Sequence, residues 1–240
     1  VRKVINIENC HITDDTGNLI RNAIRKFAIE NNLSFYNHYS QSGLLRNLTI
    51  RNTSIGEQML LLSFGVNDED AIKKTMQFVV DSFPQLTSIN YVINTKGNDT
   101  IYDLDVVNFA GKDHIIEQLG AIQYRVGPKS FFQTNSKQAK LLYDLIVAYA
   151  AIEENDLVYD LYTGIGSIAL YVANQCKKVI GVETVPEAID DANINAKLNN
   201  IEHVKFYAGS SERILSDEFL QENGQPDLSL IHISEPTRRH

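Results

Sequence analysis

Asp160-Leu-Tyr-Thr-Gly164-Ile-Gly166, with Ser167 behind it and Glu183 ahead, is the stretch on which the reading of this 240-residue chain turns. The run 157–161 is apolar except for Asp160 and has the length of a buried strand. Gly164 and Gly166 end it in a turn, and residues 167–174 read as a helix. A second apolar run, 178–182, reads as a strand that delivers Glu183 at its C-terminal end. A doubly wound α/β sheet builds a nucleotide pocket in this order. The glycines let the backbone approach the ligand, and the carboxylate accepts hydrogen bonds from ribose hydroxyls.

The pattern extends in both directions. Residues 121–126 read as a strand entering Gly127-Pro128. Asn135 with Gln138 three residues later has the form of a capping box and opens a helix over 136–152. Pro186 suits the first turn of a helix after Glu183. A third strand follows at 204–208, a helix at 211–220 and a fourth strand at 227–231. Strands alternating with helices imply a parallel sheet. Upstream, the chain reads as mixed α/β. Strands are expected at 1–7, 45–51, 59–64, 88–93 and 100–107, and helices at 18–29 and 68–83. The expected division is a central α/β domain at 1–122, a Rossmann-like domain at 123–228 and a tail at 229–240.

Bulk composition narrows the function classes. A hydrophobic share of 43% with 22% charged residues is ordinary for a globular protein able to bury a core. No apolar stretch approaches membrane-spanning length and no signal-peptide pattern opens the chain, so a cytoplasmic monomer is expected. Two cysteines argue against a disulfide framework. A net charge of −8 gives a nucleic-acid role no support from composition.

Gly164-Ile-Gly166-Ser-Ile-Ala169 also meets the looser dinucleotide pattern, so NAD stays open at this point. Three features favour S-adenosylmethionine. Asp160 lies just before the turn, where a carboxylate suits an ammonium group and repels a pyrophosphate. Glu183 follows Gly166 closely. The glycine turn is not the first strand–turn–helix element, and a helix precedes it.

Taken together, several ordered motifs resemble the RNA (uracil-5-)-methyltransferases, a class of S-adenosylmethionine-dependent enzymes acting on transfer or ribosomal RNA. They are Leu44-Leu-Arg46-Asn-Leu-Thr-Ile-Arg51, Gly56-Glu-Gln-Met59, Ser130-Phe-Phe-Gln133-Thr-Asn135 with Leu142-Tyr143, the glycine turn, and Gly181-Val-Glu183-Thr-Val-Pro186-Glu-Ala188 with Asn195-Ala196. The resemblance covers residues 4–227 and departs at Thr163, where most similar members carry Cys. It implies a Rossmann-like sheet in the order 3-2-1-4 and an RNA partner. It also implies cofactor contacts from Gln133, Tyr162, Gly164, Ser167, Glu183 and Ser210. Plainer roles compete for some of these. Gln133 precedes a helix it could cap, Tyr162 could belong to the core, and Ser210 is a common turn former. Arg46 and Arg51 match family positions that either meet RNA phosphate or decorate a strand face.

The chemistry the resemblance implies is addition of a Cys thiolate to carbon 6 of an unstacked uracil. Methyl transfer to carbon 5 follows, and a Glu base then removes the carbon 5 proton. In similar proteins that Cys and Glu lie beyond residue 228. From about residue 229 the chain reads instead like a translated adapter or cloning scar, and its start at Val1 reads as internal. The chain is therefore expected to be a fragment that binds S-adenosylmethionine weakly at best and does not methylate RNA. Cys10 lies where members with an iron–sulfur cluster place one ligand, with the other three upstream. Its alternative is a small buried thiol.

Overall fold

A computed structural model describes residues 6–231, and the chain divides into two compact units. The first comprises residues up to Asn52 together with Gly56–Ile115, and the second comprises Thr53–Ile55 and everything from Ile116 onward.

In the first unit, α1 (Asp15–Glu30) starts at Asp14, whose carboxylate accepts from the Gly17 N–H. β1 (Leu45–Asn52) pairs antiparallel with β2 (Gln58–Phe64). α2 (Glu69–Ser82), capped by Asp68, returns the chain to β3 (Ser88–Ile93), which lies parallel to β2. β4 (Val106–Gly111) completes a sheet ordered β1-β2-β3-β4. Ile20, Ile24, Leu60, Leu62, Phe64, Met76 and Val79 share one buried cluster between helices and sheet. Phe27 and Phe78 stack where α1 meets α2, ring centroids 4.2 Å apart.

Two readings need correction in this unit. The strand expected at 100–107 is loop until Val106. Asn98 Oδ1 accepts from both the Thr100 N–H and its hydroxyl, holding the chain in a turn that competes with extended pairing. Arg46 is neither a surface decoration nor a free cation. Its side chain is 0% exposed and lies 4.2 Å over the Tyr36 ring. It donates to the carbonyls of Asn94, Lys96 and Asn98 and to Asp99 Oδ1. Of the strand expected at 1–7, residues 1–5 lie outside the described residues, and Asn6 and Ile7 are not in a strand.

The second unit opens with a hairpin, β5 (Ile115–Leu119) and β6 (Ile122–Val126). Its first strand was not anticipated. Ile115, Glu117 and Leu119 alternate on the buried face, and a carboxylate in the middle of that face disguises the two-residue period. Glu117 is only 3% exposed and is satisfied by the Ser54 N–H, the Ser54 and Ser136 hydroxyls and the Gln118 N–H. α3 (Ser136–Ala150) follows, and Asn135 caps it by accepting from the Gln138 N–H.

β7 (Leu157–Leu161), α4 (Ser167–Ala173), β8 (Lys178–Glu183), α5 (Pro186–Leu198) and β9 (Val204–Ala208) come next. The helix expected at 211–220 is broken into α6 (Ser211–Ile214) and α7 (Asp217–Asn223). Ser216 accepts from the Phe219 N–H and restarts the helix there. β10 (Leu228–Ile231) then pairs parallel with β7. The sheet reads β10-β7-β8-β9, all parallel. That is the 3-2-1-4 order of a Rossmann-like methyltransferase sheet, and among the described residues β10 is paired on one side only. Residues 232–240, most of the tail read as non-native, lie outside the described residues.

The two faces of this sheet follow from strand alternation. Tyr159, Leu161, Ile180 and Val182 pack against Phe219, Leu220, Ile214 and Leu215 on α6 and α7 and the loop joining them. Asp160, one residue out of phase, points the other way and bonds to the first turn of α4. Functional groups therefore gather at the C-terminal edge of β7 and β8, on the α4–α5 side.

Candidate cofactor site

The turn after β7 is held by three elements. The N–H groups of Tyr162 and Thr163 both donate to the Val182 carbonyl, at 2.8 and 3.0 Å. Asp160, 2% exposed, receives the Thr163 hydroxyl at 2.7 Å and the Ala169 N–H at 3.0 Å on one carboxylate oxygen. That oxygen is committed to bracing the turn, a second use of the carboxylate besides the ammonium-binding role read from the sequence. Glu183 Oε2 accepts from the Gly164 N–H at 3.1 Å.

The backbone is left unusual as a result. Tyr162 has φ +78, a costly conformation for a bulky residue of the kind that concentrates at functional sites. Gly164 has φ +57, and a Cβ placed on it would meet nothing within 4 Å. Its bare Cα thus faces open space, as close approach of a ligand requires.

This turn forms one wall of a cavity of about 60 Å³, room for a few waters. Phe131, Phe132 and Gln133 line the opposite lip, and Tyr143, Asp160, Thr163, Ile165, Ser167 and Ile168 complete the lining with Tyr162 and Gly164. Gln133, Tyr162, Gly164 and Ser167, all expected from the sequence, are therefore brought together.

Glu183 stands just behind the lining. Its other oxygen accepts from the Thr184 N–H and hydroxyl and the Val185 N–H, at 2.7, 2.9 and 3.1 Å. Ser210 does not line the cavity. It is the N-cap residue of α6, and its carbonyl accepts from the Arg213 and Ile214 N–H groups. The neighbouring Gly209 N–H donates to the Glu183 carbonyl, which puts Ser210 at the same C-terminal edge of the sheet.

Tyr143 was missed as a lining residue. With Ala139 it is one of the two buried residues of α3, spaced i, i+4, and it reaches the cavity from that face. Burial holds its phenol above the usual range, as it does for Tyr124, whose hydroxyl donates to the Ser167 carbonyl at 2.7 Å. Both phenols are therefore neutral hydrogen-bonding groups at physiological pH.

Bare backbone, one carboxylate, an amide and hydroxyls converge, and among the described residues no thiol lines the cavity. Cys176 is buried with its thiol against the carbonyls of Val172, Ala173 and Lys178, and burial raises its pKa. Such a thiol is inert.

The lining suits S-adenosylmethionine, with its charged methionine end and its ribose. Cys10, read as one cluster ligand with the other three upstream, is half-buried in the first unit, its backbone gripped by the Asn18 side chain. Among the described residues no group of three or more His, Cys, Asp or Glu could hold a metal ion. No helix among them is long and apolar enough to cross a membrane.

Comparison with known proteins agrees with this geometry. Residues 38–223 match the family model for tRNA (uracil-5-)-methyltransferases. An uncharacterized RNA methyltransferase of Bacteroides thetaiotaomicron is 47% identical over 239 residues, covering 98% of this chain and 52% of that protein. A Porphyromonas gingivalis protein described in the same words is 43% identical, covering 98% of this chain and 50% of its own length. The chain thus spans about half the length of the curated relatives it matches. Among solved structures it resembles the Pyrococcus abyssi tRNA (uracil-54, C5)-methyltransferase in complex with S-adenosyl-L-homocysteine. That likeness has a TM-score of 0.74 at 26% identity, over 90% of this chain and 52% of the other. The chain belongs to the tRNA (uracil-5-)-methyltransferase family.

Proposed function

We propose that the protein containing this chain methylates carbon 5 of a uridine in ribosomal or transfer RNA, and that this chain supplies the cofactor-binding part of the machinery. The observation that carries the reading is the cavity itself. A glycine turn with an open Cα, a strained Tyr162 and Gln133 on the facing lip occur together inside a span that matches the family model. S-adenosylmethionine, when bound, supplies a methyl group activated on a sulfonium. Gln133, Tyr162, Gly164 and Ser167 hold its methionine end in the cavity. Glu183 would accept a ribose hydroxyl, and Ser210 would lie toward the adenine side.

Neither Cys10 nor Cys176 lines the cavity, and the resemblance puts the attacking cysteine beyond residue 228. The 240-residue chain accordingly binds cofactor without turnover. The parent protein, incubated with labelled S-adenosylmethionine and unmodified ribosomal and transfer RNA, is expected to yield 5-methyluridine on nucleoside mass spectrometry. Label in any other nucleoside, or turnover by this chain alone, contradicts the proposal.

A further inference from the structure

The cavity has two lips, the segment 131–133 that follows β6 and the turn 163–168 that follows β7. One side chain joins the strand that leads to the first lip to the middle of the second. Asn195 on α5 is 0% exposed. Its Oδ1 accepts from the Arg125 N–H at 2.6 Å, on the strand that feeds the first lip. Its Nδ2 donates to the Ile165 carbonyl at 3.1 Å, in the middle of the second lip, and reaches the Arg125 carbonyl at 3.5 Å.

One turn earlier on α5, Asp191 accepts from Arg125 Nη1 at 2.6 Å and from the Ser130 hydroxyl at 2.7 Å. Ser130 in turn accepts from the Gly127 N–H at 2.9 Å, which fixes the bend immediately before Phe131. One turn later, Asn199 repeats the amide-to-strand pairing. It accepts from the Gln123 N–H at 2.8 Å and donates to the Gln123 carbonyl at 2.6 Å, but makes no bond to either lip.

We propose that Asn195 is a positioning residue for cofactor binding: by joining the strand before Gln133 to the Ile165 carbonyl, it sets the spacing of the two lips. The proposal rests on the reading of the cavity as the S-adenosylmethionine site. Only an amide serves here, because the site needs one acceptor and one donor on a single planar group. Function depends on such supports, since a lip displaced by a fraction of an ångström loses its contacts with the ligand.

Asn199 supplies a matched control. Asn195→Asp and Asn199→Asp each turn a donor into a carboxylate oxygen facing a backbone carbonyl, and each weakens the docking of α5 on β6. Thermal unfolding of the 240-residue chain is expected to fall in both. S-adenosylhomocysteine affinity, measured by calorimetry below both transitions, is expected to drop about tenfold in Asn195→Asp and to stay within about twofold in Asn199→Asp. Amide exchange at residues 164–168 is expected to accelerate in the first variant alone.

Equal changes in both variants, or no change in Asn195→Asp, overturn the proposal. If the unsubstituted chain fails to bind S-adenosylhomocysteine, the cofactor reading falls, and the exchange comparison alone decides whether Asn195 fixes the turn. If Asn195→Asp does not fold, Asn195→Ala takes its place, with Asn199→Ala as its control. It removes the bonds to Arg125 and Ile165 without setting a carboxylate against a carbonyl, and unchanged affinity there also overturns the proposal.

Discussion

Arg46→Ala is expected to destabilise the first unit by at least about 1–3 kcal/mol, the cost of leaving buried acceptors without their donor. The guanidinium is wholly enclosed and ties together residues 94–99, its four contacts lying between 2.6 and 3.1 Å. Truncation takes the Arg46 donor from the carbonyls of Asn94 and Lys96, while the Asn98 carbonyl keeps the Asn94 amide, and a partnerless buried acceptor costs about 1–3 kcal/mol. It also removes the cation from the face of Tyr36. Arg46→Lys is expected to recover little, since an ammonium cannot reproduce the planar fork. Urea unfolding followed by amide exchange in β1–β4 measures the loss. A change within about 0.5 kcal/mol, the range for an exposed strand residue, contradicts this assignment.

Gly164→Ala is expected to lower S-adenosylhomocysteine affinity at least about tenfold, or about 1.4 kcal/mol, while the chain stays folded. A left-handed backbone at an alanine costs roughly 1–2 kcal/mol. No atom lies within 4 Å of the new methyl group, so no clash adds to that strain. The methyl instead projects into open space at a residue that lines the cavity. Gly56→Ala separates strain from obstruction. Gly56 has φ +87 and equally open surroundings, but it sits in the turn between β1 and β2 and does not line the cavity. Its variant should show similar destabilisation with affinity unchanged. Equal affinities in the two variants would mean that the open face of Gly164 is not where the ligand approaches.

Local chemistry made most of the fold legible. Asp68, Asn135 and Pro186 mark helix starts that the structure reproduces, and the parallel sheet with its order follows from strand–helix alternation. Failures occurred where a side chain answered to a distant partner. Glu117 hid β5 because a carboxylate on a buried face reads as a break, and its partners Ser54 and Ser136 lie 63 and 19 residues away. Arg46 read as a surface cation because the carbonyls that enclose it come from a loop about 50 residues on.

The site divides in the same way. The glycine turn and Glu183 form a local motif and were visible. Tyr143 and Asn195 belong to recognisable motifs, but nothing local in those motifs reveals their roles. Asn195 acts on Ile165 and Arg125, 30 and 70 positions away, and only the folded chain brings those groups together.

Calorimetric titration of the 240-residue chain with S-adenosylhomocysteine and, separately, with NAD tests the central claim most directly. Asp160 and Glu183 at the two strand ends favour a cofactor with an ammonium group and a free ribose over one with a pyrophosphate at the glycine turn. The expected result is saturable binding of S-adenosylhomocysteine and none of NAD. Binding of NAD, or of neither ligand by a chain shown to be folded, would contradict it.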